Sequence, residues 1–235
     1  TGNKLYEFFS GKIINSYSNK VLTVSESVKK HWLKYVNETK IERIYNGIIF
    51  SKTDSLIKLE RDEDDFVITS VARLIPYKGH NYLIDIANIL IKKSTKFKFL
   101  IVGDTLPSYK SHEKIVKQKV NDLGLEDQIK FLGFRKDISN ILKQSDLFIH
   151  PAISPDPLPT VLFESLHNGL PSVATNLGGA IEILDNGNNG LLIPHNDPKK
   201  AANLIIEYCA NPKLQKNHIE NSKKNFKINF SSESF

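Results

Sequence analysis

Methionine is missing from the 235 residues altogether, and cysteine and tryptophan occur once each, as Cys209 and Trp32. A single cysteine excludes an internal disulfide framework and a thiolate zinc site, and it suits a reducing compartment. No apolar run comes near the roughly 18 residues that a membrane-spanning helix needs. Arginine is scarce, at four residues against 28 lysines. The start, Thr1-Gly2-Asn3-Lys4, carries neither an initiator methionine nor a basic-then-apolar signal pattern, so the sequence reads as an internal piece of a longer chain. What is present is ordinary for a globular protein: 40% of residues are hydrophobic and 25% charged, which excludes wholesale disorder.

The net charge of +6 raises the question of a phosphate-rich partner. Its distribution argues against nucleic acid. The lysines are spread along the whole chain in short pairs such as Lys29-Lys30, Lys92-Lys93, Lys199-Lys200 and Lys223-Lys224, and no basic helical stripe alternates with aromatics. They read as a solvated surface, which makes each of the four arginines more informative than any lysine.

The dominant rhythm is a short β-branched run followed by a longer amphipathic segment. Strands are expected at 66–72, 97–102, 129–132, 147–150, 172–174 and 191–193, with helices at about 82–91, 111–123, 136–144, 160–168, 179–185 and 198–210. Such alternation predicts an α/β fold, a Rossmann-like parallel sheet with helices on both faces. The first 50 residues supply a helix at about 4–16, strands at 20–24 and 41–45, and a helix capped by Ser25, which is too little for an independent core. The expected organisation is therefore 1–50 as the end of a partial second α/β domain, 51–65 as a charged linker, and 66–235 as the main domain. Ligands of such sheets bind beyond the carboxyl ends of the strands, so the strand-to-helix turns are where chemistry is sought.

Three turns stand out. In the first, Arg73-Leu-Ile-Pro-Tyr-Lys78-Gly79, a planar guanidinium and a compact ammonium meet where helix amides already favour an anion. In the second, Asp156-Pro-Leu158-Pro159-Thr160-Val161-Leu-Phe-Glu164, Pro159 suits a first helical turn and leaves the amides of Thr160, Val161 and Leu162 for an oxyanion. Glu164 falls one turn beyond Thr160, where a carboxylate can accept hydrogen bonds from a vicinal diol such as a ribose. In the third, Gly178-Gly179-Ala-Ile-Glu182, the glycines allow close backbone approach and Glu182 favours its own first helical turn through the dipole. Each pattern alone has a bland reading as solvated or turn-forming residues. His150, His167 and His195 read as ordinary strand, helix and loop residues.

The conjunction Arg-x4-Lys-Gly, Asp-x7-Glu and Gly-Gly-x2-Glu, in that order at successive strand ends, resembles the GT-B-fold glycosyltransferases of the group 1, family 4 type. Further segments resemble the same family: Val24-Ser25-Glu26 and Ile44-Tyr-Asn-Gly-Ile48 near the domain crossover, Asp146-Leu-Phe-Ile-His-Pro151, Gly169-Leu-Pro-Ser-Val-Ala-Thr175, and Gly187-Asn-Asn-Gly190. The resemblance implies that Arg73 and Lys78 hold the diphosphate of a UDP- or GDP-sugar and that Glu164 holds the ribose. Asp156 would reach hydroxyls of the transferred sugar. The family more often has Glu there, so this chain loses one methylene of reach, and Pro159 stands where the family has Gly. Leu158, Thr160, Val161, Gly178 and Gly179 would line the donor, with Gly133 and Phe134 in the turn beside the base.

The implied reaction is sugar transfer with retention to a glycan or lipid-linked acceptor, as in polysaccharide biosynthesis. The resemblance also implies cytoplasmic location with peripheral contact at the inner membrane face, and a final helix cut near Ser231–Phe235. It implies neither metal nor cofactor, and the sequence has no clustered His/Cys ligand set, no P-loop and no His-Glu-x-x-His. In the family the acceptor site lies in the N-terminal domain, so the chain is expected to bind the donor and turn over slowly or not at all. Two other readings share these motifs, a GT-B epimerase or phosphorylase and a non-catalytic nucleotide-sugar module.

Overall fold

A computed structural model describes residues 4–47 and 58–230. Part of the expected linker, Ile48 of the crossover segment, and Ser231–Phe235 lie outside the described residues. In chain order the strands are β1 (Val21–Thr23), β2 (Ile41–Arg43), β3 (Phe66–Val71), β4 (Phe97–Val102), β5 (Ile129–Gly133), β6 (Leu147–His150), β7 (Ser172–Thr175) and β8 (Leu191–Ile193). The helices are α1 (Lys4–Tyr17), α2 (Glu26–Trp32), α3 (His80–Lys93), α4 (Lys110–Asp122), α5 (Ile138–Lys143), α6 (Thr160–His167), α7 (Ala180–Ile183), α8 (Pro198–Cys209) and α9 (Pro212–Asn229).

Strands β3 to β8 form one parallel sheet in the order β5-β4-β3-β6-β7-β8, and β1 pairs with β2 in a separate parallel ladder. The expected α/β architecture is what forms. Every strand of the large sheet needs a crossover, and the crossovers place helices on both faces. Side chains of one strand alternate between two cores. Leu147 and Ile149 of β6 and Val173 of β7 pack with α3, α4 and α8, through Leu83, Ile86, Leu90, Val116 and Ile205. Phe148 and Ala174 face the other way, toward Leu142 of α5, Leu162, Phe163 and Leu166 of α6, Ile183 of α7, and Phe230.

The order reverses at β3. Its successors β4 and β5 lie on one side and β6 to β8 on the other, so the connections after β3 and β6 diverge and leave a crevice at their carboxyl ends. The amino end of β3 is fixed by Asp146, whose Oδ2 accepts from the Val67 amide at 2.7 Å and from Arg61 Nη2 at 3.0 Å.

One element prediction needs correction. Helix α7 is four residues long, because Asp185 and Asn186 take left-handed backbone angles (φ 46° and 54°) and divert the chain into a 3₁₀ turn over Asp185–Gly187. Helix α9, an 18-residue run with few apolar positions, is the final helix that the resemblance implied and that periodicity did not place. It is held by aromatic contacts, with Phe226 and Phe230 at ring-centroid distances of 6.0 and 4.6 Å from Phe163. Among the described residues no helix is long and apolar enough to cross a membrane.

Candidate active site at the sheet's switch point

The turn after β3 leaves the strand at Ala72, passes Arg73, and tightens into a 3₁₀ turn over Pro76–Lys78. Lys78 therefore ends that turn rather than opening α3. Gly79 joins the two with φ 77°, and a Cβ there would lie 1.9 Å from the Pro151 carbonyl oxygen. The turn after β3 and the turn after β6 thus meet backbone to backbone, tied also by the Ile153 amide donating to Tyr77 O at 3.1 Å.

The β6–α6 loop is held from its other side. Thr175 Oγ1 donates to Ala152 O at 2.6 Å, and the Gly179 amide donates to Asp156 O at 2.8 Å. A Cβ on Gly178 would come within 2.4 Å of Asp156 O, and one on Gly179 within 2.2 Å of Pro157 O. Their close approach is to the Asp156–Pro157 backbone, and the Gly179 amide is already used. Pro159 precedes α6 as its cap, and the Leu162 amide bonds to Pro159 O at 3.0 Å. Of the three amides expected to receive an anion, those of Thr160 and Val161 remain, at positions with no intrahelical acceptor.

These turns enclose a cleft of about 530 Å³ lined by Arg73, Lys78, Asp156, Leu158, Pro159, Thr160, Val161 and Phe134, together with Gly103, Asp104, Thr105 and Arg135. Seven predicted site residues converge there: Arg73, Lys78, Asp156, Leu158, Thr160, Val161 and Phe134. Gly133, Glu164, Gly178 and Gly179 are not in the lining. Glu164 sits one helical turn below Thr160, and its carboxylate has no partner among the described residues; burial pushes its carboxyl up. Sequence reasoning missed the β4 contribution, Asp104 and Thr105, whose only signal was the Gly103 that ends the strand.

A larger cavity, about 820 Å³, lies at the opposite end of the sheet beside residues 58–65. Its lining mixes Lys58, Lys98 and Lys130 with Glu60, Asp62, Asp65 and Asp127, which leaves no field of one sign. Asp62-Glu63-Asp64, an Asp-x-Asp spacing, falls at that end too. Among the described residues no group of three or more His, Cys, Asp or Glu side chains could hold a metal ion. The smaller cleft, at the strand-to-helix turns, is the candidate site.

Its charges are unequal in their commitments. Among the described residues the exposed Arg73 guanidinium makes no hydrogen bond or ion pair. Arg135 is neither free nor simply solvated: it forms a fork with Asp137, Nε to Oδ1 at 2.8 Å and Nη2 to Oδ2 at 2.7 Å. Lys78 pairs with Asp156 Oδ2. Burial pushes the Asp156 carboxyl up, but the His150 imidazole and the Lys78 ammonium outweigh it and hold it at about 2. Phe134 stands 69% exposed at the mouth, an aromatic face open to a flat ligand.

Glu182 does not serve its own helix, as expected, but one from another part of the chain. Its carboxylate accepts from the amides of Glu26 (2.7 Å) and Ser27 (2.8 Å) at the start of α2, and from Tyr45 Oη at 3.1 Å.

Behind the cleft lies a cluster that the sequence did not single out. His80 is fully buried, and among the described residues neither of its ring nitrogens has a partner; His150 Nε2 and His112 Nε2 are likewise buried without hydrogen bonds there. Burial, with the neighbouring His112, Lys78 and His150, pushes His80 down to about 4 from an ordinary 6.5. Between these values the unfolded chain binds a proton that the folded chain refuses, so stability falls as pH drops from 6.5 to 4. At roughly 1.4 kcal/mol for each tenfold change in proton affinity, His80 should account for a loss of about 3 kcal/mol, read from denaturant midpoints across that range. His80→Leu removes the titrating group without orphaning a partner and should flatten this limb; an equally steep limb in the variant would refute the assignment.

The profile of the family described as glycosyl transferases group 1 matches residues 51–225. The chain belongs to the group 1 glycosyltransferases. Similar to this chain is an uncharacterized glycosyltransferase of Methanocaldococcus jannaschii, 30% identical over 243 residues, covering 97% of the chain and 59% of that protein. The UDP-Gal:alpha-D-GlcNAc-diphosphoundecaprenol alpha-1,3-galactosyltransferase of Escherichia coli is 31% identical over 187 residues, 73% of the chain and 46% of that protein. The crystal structure of Anabaena HepE in complex with UDP superposes with a TM-score of 0.84 at 25% identity, covering 97% of the chain and 64% of HepE. Sucrose-phosphate synthase from Thermosynechococcus elongatus shares the fold, with a TM-score of 0.84 at 19% identity over 99% of the chain and 59% of the synthase. The chain thus spans between 46% and 64% of the length of these proteins.

Proposed function

We propose that the cleft binds the donor of a retaining, hexosyl-transferring enzyme of the family 4 type: a nucleoside-diphosphate sugar, with a glycan or lipid-linked acceptor. The observation that carries this reading is the convergence of Arg73, Lys78, Asp156 and the first amides of α6 on one cleft at the switch point. HepE, similar over 97% of the chain, was crystallised with UDP, and the E. coli relative is named for a UDP-sugar donor and a diphosphoundecaprenol acceptor. Those names support a uridine nucleotide as the first ligand to try and a lipid-linked acceptor at a membrane face.

In this reading the diphosphate lies between Arg73, Lys78 and the amides of Thr160 and Val161. Departure of the leaving group builds negative charge on the distal phosphate, and the two cations with the helix terminus oppose it. Asp156 faces hydroxyls of the sugar. The unpaired Glu164 carboxylate accepts from the ribose diol, and Phe134 offers its ring to the base. The proposed role of Glu164 requires the nucleotide to reach one turn down α6.

Calorimetry with UDP, GDP and ADP tests the reading. UDP should bind the wild-type chain, and Glu164→Ala should weaken it about 10- to 100-fold, the usual loss for hydrogen bonds to a charged group. Unaltered affinity in Glu164→Ala would remove the ribose role, and absence of any nucleotide binding would remove the reading.

A further inference from the structure

His150, the last residue of β6, is 1% exposed, and its Nε2 has no hydrogen bond among the described residues. A buried polar atom without a partner is costly, so a native chain that keeps one invites an explanation. Nε2 lies 3.5 Å from Asp156 Oδ2, the same oxygen that Lys78 holds. Asp156 is therefore shared by an ammonium on its solvent side and an imidazole on its buried side.

The charged and titratable groups around this imidazole come from each neighbouring element. Asp156 belongs to the β6–α6 loop, Lys78 to the 3₁₀ turn after β3, and His80 to the start of α3, with His112 of α4 beyond it. His80 resists protonation because it is fully buried and its charged neighbours, Lys78, His112 and His150, are basic. Among the described residues Asp156 is thus the acidic neighbour that a charge on His150 can pair with.

A donor diphosphate changes the balance. On the proposed reading of the cleft, Lys78 must serve the phosphate, yet in this structure it is committed to Asp156. As the phosphate draws the ammonium away, a carboxylate with only 14% of its side chain exposed is left beside a new anion. The tautomer with Nε2–H can offer that carboxylate a donor, but only a second proton, taken from solvent, gives His150 the positive charge that restores neutrality. We propose that His150 is a positioning residue: it takes up a proton as the donor diphosphate engages Lys78, and it holds Asp156 in place for the sugar.

The inference rests on the nucleotide reading of the cleft, and its sign is definite. If the bound state holds more protons than the free state, affinity falls as pH rises. Calorimetry of UDP in buffers of different ionisation enthalpy, at pH 6 to 8, reads the protons taken up by wild type and by His150→Gln. Titration of the UDP phosphate itself enters both measurements equally. Wild type should take up as much as one proton more than the variant, and its affinity should fall up to about tenfold more steeply per pH unit; uridine, which has no phosphate, should show no difference. Equal uptake in the two proteins overturns the inference and leaves the nucleotide reading standing. Failure of both to bind UDP overturns the reading instead.

A second arm needs no nucleotide and no change at position 150. Lys78→Gln leaves Asp156 with His150 alone, so imidazole ¹⁵N shifts at pH 7 should report a larger protonated fraction of His150 than in wild type. An unchanged fraction overturns the inference whatever UDP does.

Discussion

Arg73→Ala is expected to weaken UDP binding by about 10- to 100-fold while leaving uridine binding unchanged, the loss that follows from removing a charge-assisted contact to phosphate. The guanidinium is exposed, lines the cleft, and has no partner among the described residues. Its removal therefore leaves nothing orphaned in the protein, and the measured loss reports the phosphate contact alone. Lys78 lacks this simplicity, because deleting it also uncouples Asp156. Arg73→Lys should recover only part of the affinity, since an ammonium presents a point charge where a planar fork can make two bonds. Calorimetry with UDP and uridine checks both substitutions, and equal UDP affinity in wild type and Arg73→Ala would take the diphosphate out of this corner of the cleft.

The second large effect concerns the backbone. Gly79→Ala should destabilise the chain by about 3 kcal/mol or more, the sum of a left-handed backbone angle and a steric conflict. Its φ is 77°, and the added Cβ would meet the Pro151 carbonyl at 1.9 Å, an atom of a second turn that cannot swing aside as a side-chain tip would. Gly124 is the control, with φ 62° and no atom within 4 Å of its would-be Cβ. Gly124→Ala carries the backbone cost alone, roughly 1 kcal/mol. At about 2–4 °C per kcal/mol for a chain of this size, thermal unfolding should place Gly79→Ala well below Gly124→Ala. Equal melting temperatures would show that the two turns do not constrain each other as the structure has them.

The strands and the turns between them were legible because buried parallel strands leave dense β-branched runs, and Gly, Pro and Asp punctuate their ends. Helix α9 was expected only through the resemblance, because it is anchored by Phe226 and Phe230 in a mostly polar run that gives no clear apolar period. The phosphate cations were legible for the opposite reason: arginine is rare here, so Arg73 at a strand end carries information. His150 and His80 carried none in the sequence, since an imidazole becomes notable only when packing strips it of partners, and Asp156, Lys78 and His112 reach these rings from other elements. Gly178-Gly179 was legible as a close approach but not as to what approaches. The motif requires small residues; only the fold shows that the neighbour is the Asp156 loop. Glu182 failed in the same way, because its partners at Glu26, Ser27 and Tyr45 are brought to it by tertiary packing alone.

The placement of Glu182 also has a mechanical meaning. The turn that opens α7 supports the backbone of Asp156 through Gly179, and three residues later its carboxylate grips the start of α2. One short rigid piece is therefore bolted at one end to the loop that carries an acidic residue of the cleft and at the other to the two-stranded unit. A rotation of that unit must either break three hydrogen bonds to a single carboxylate or drag the bolt with it, and the part it would drag is the support beneath Asp156.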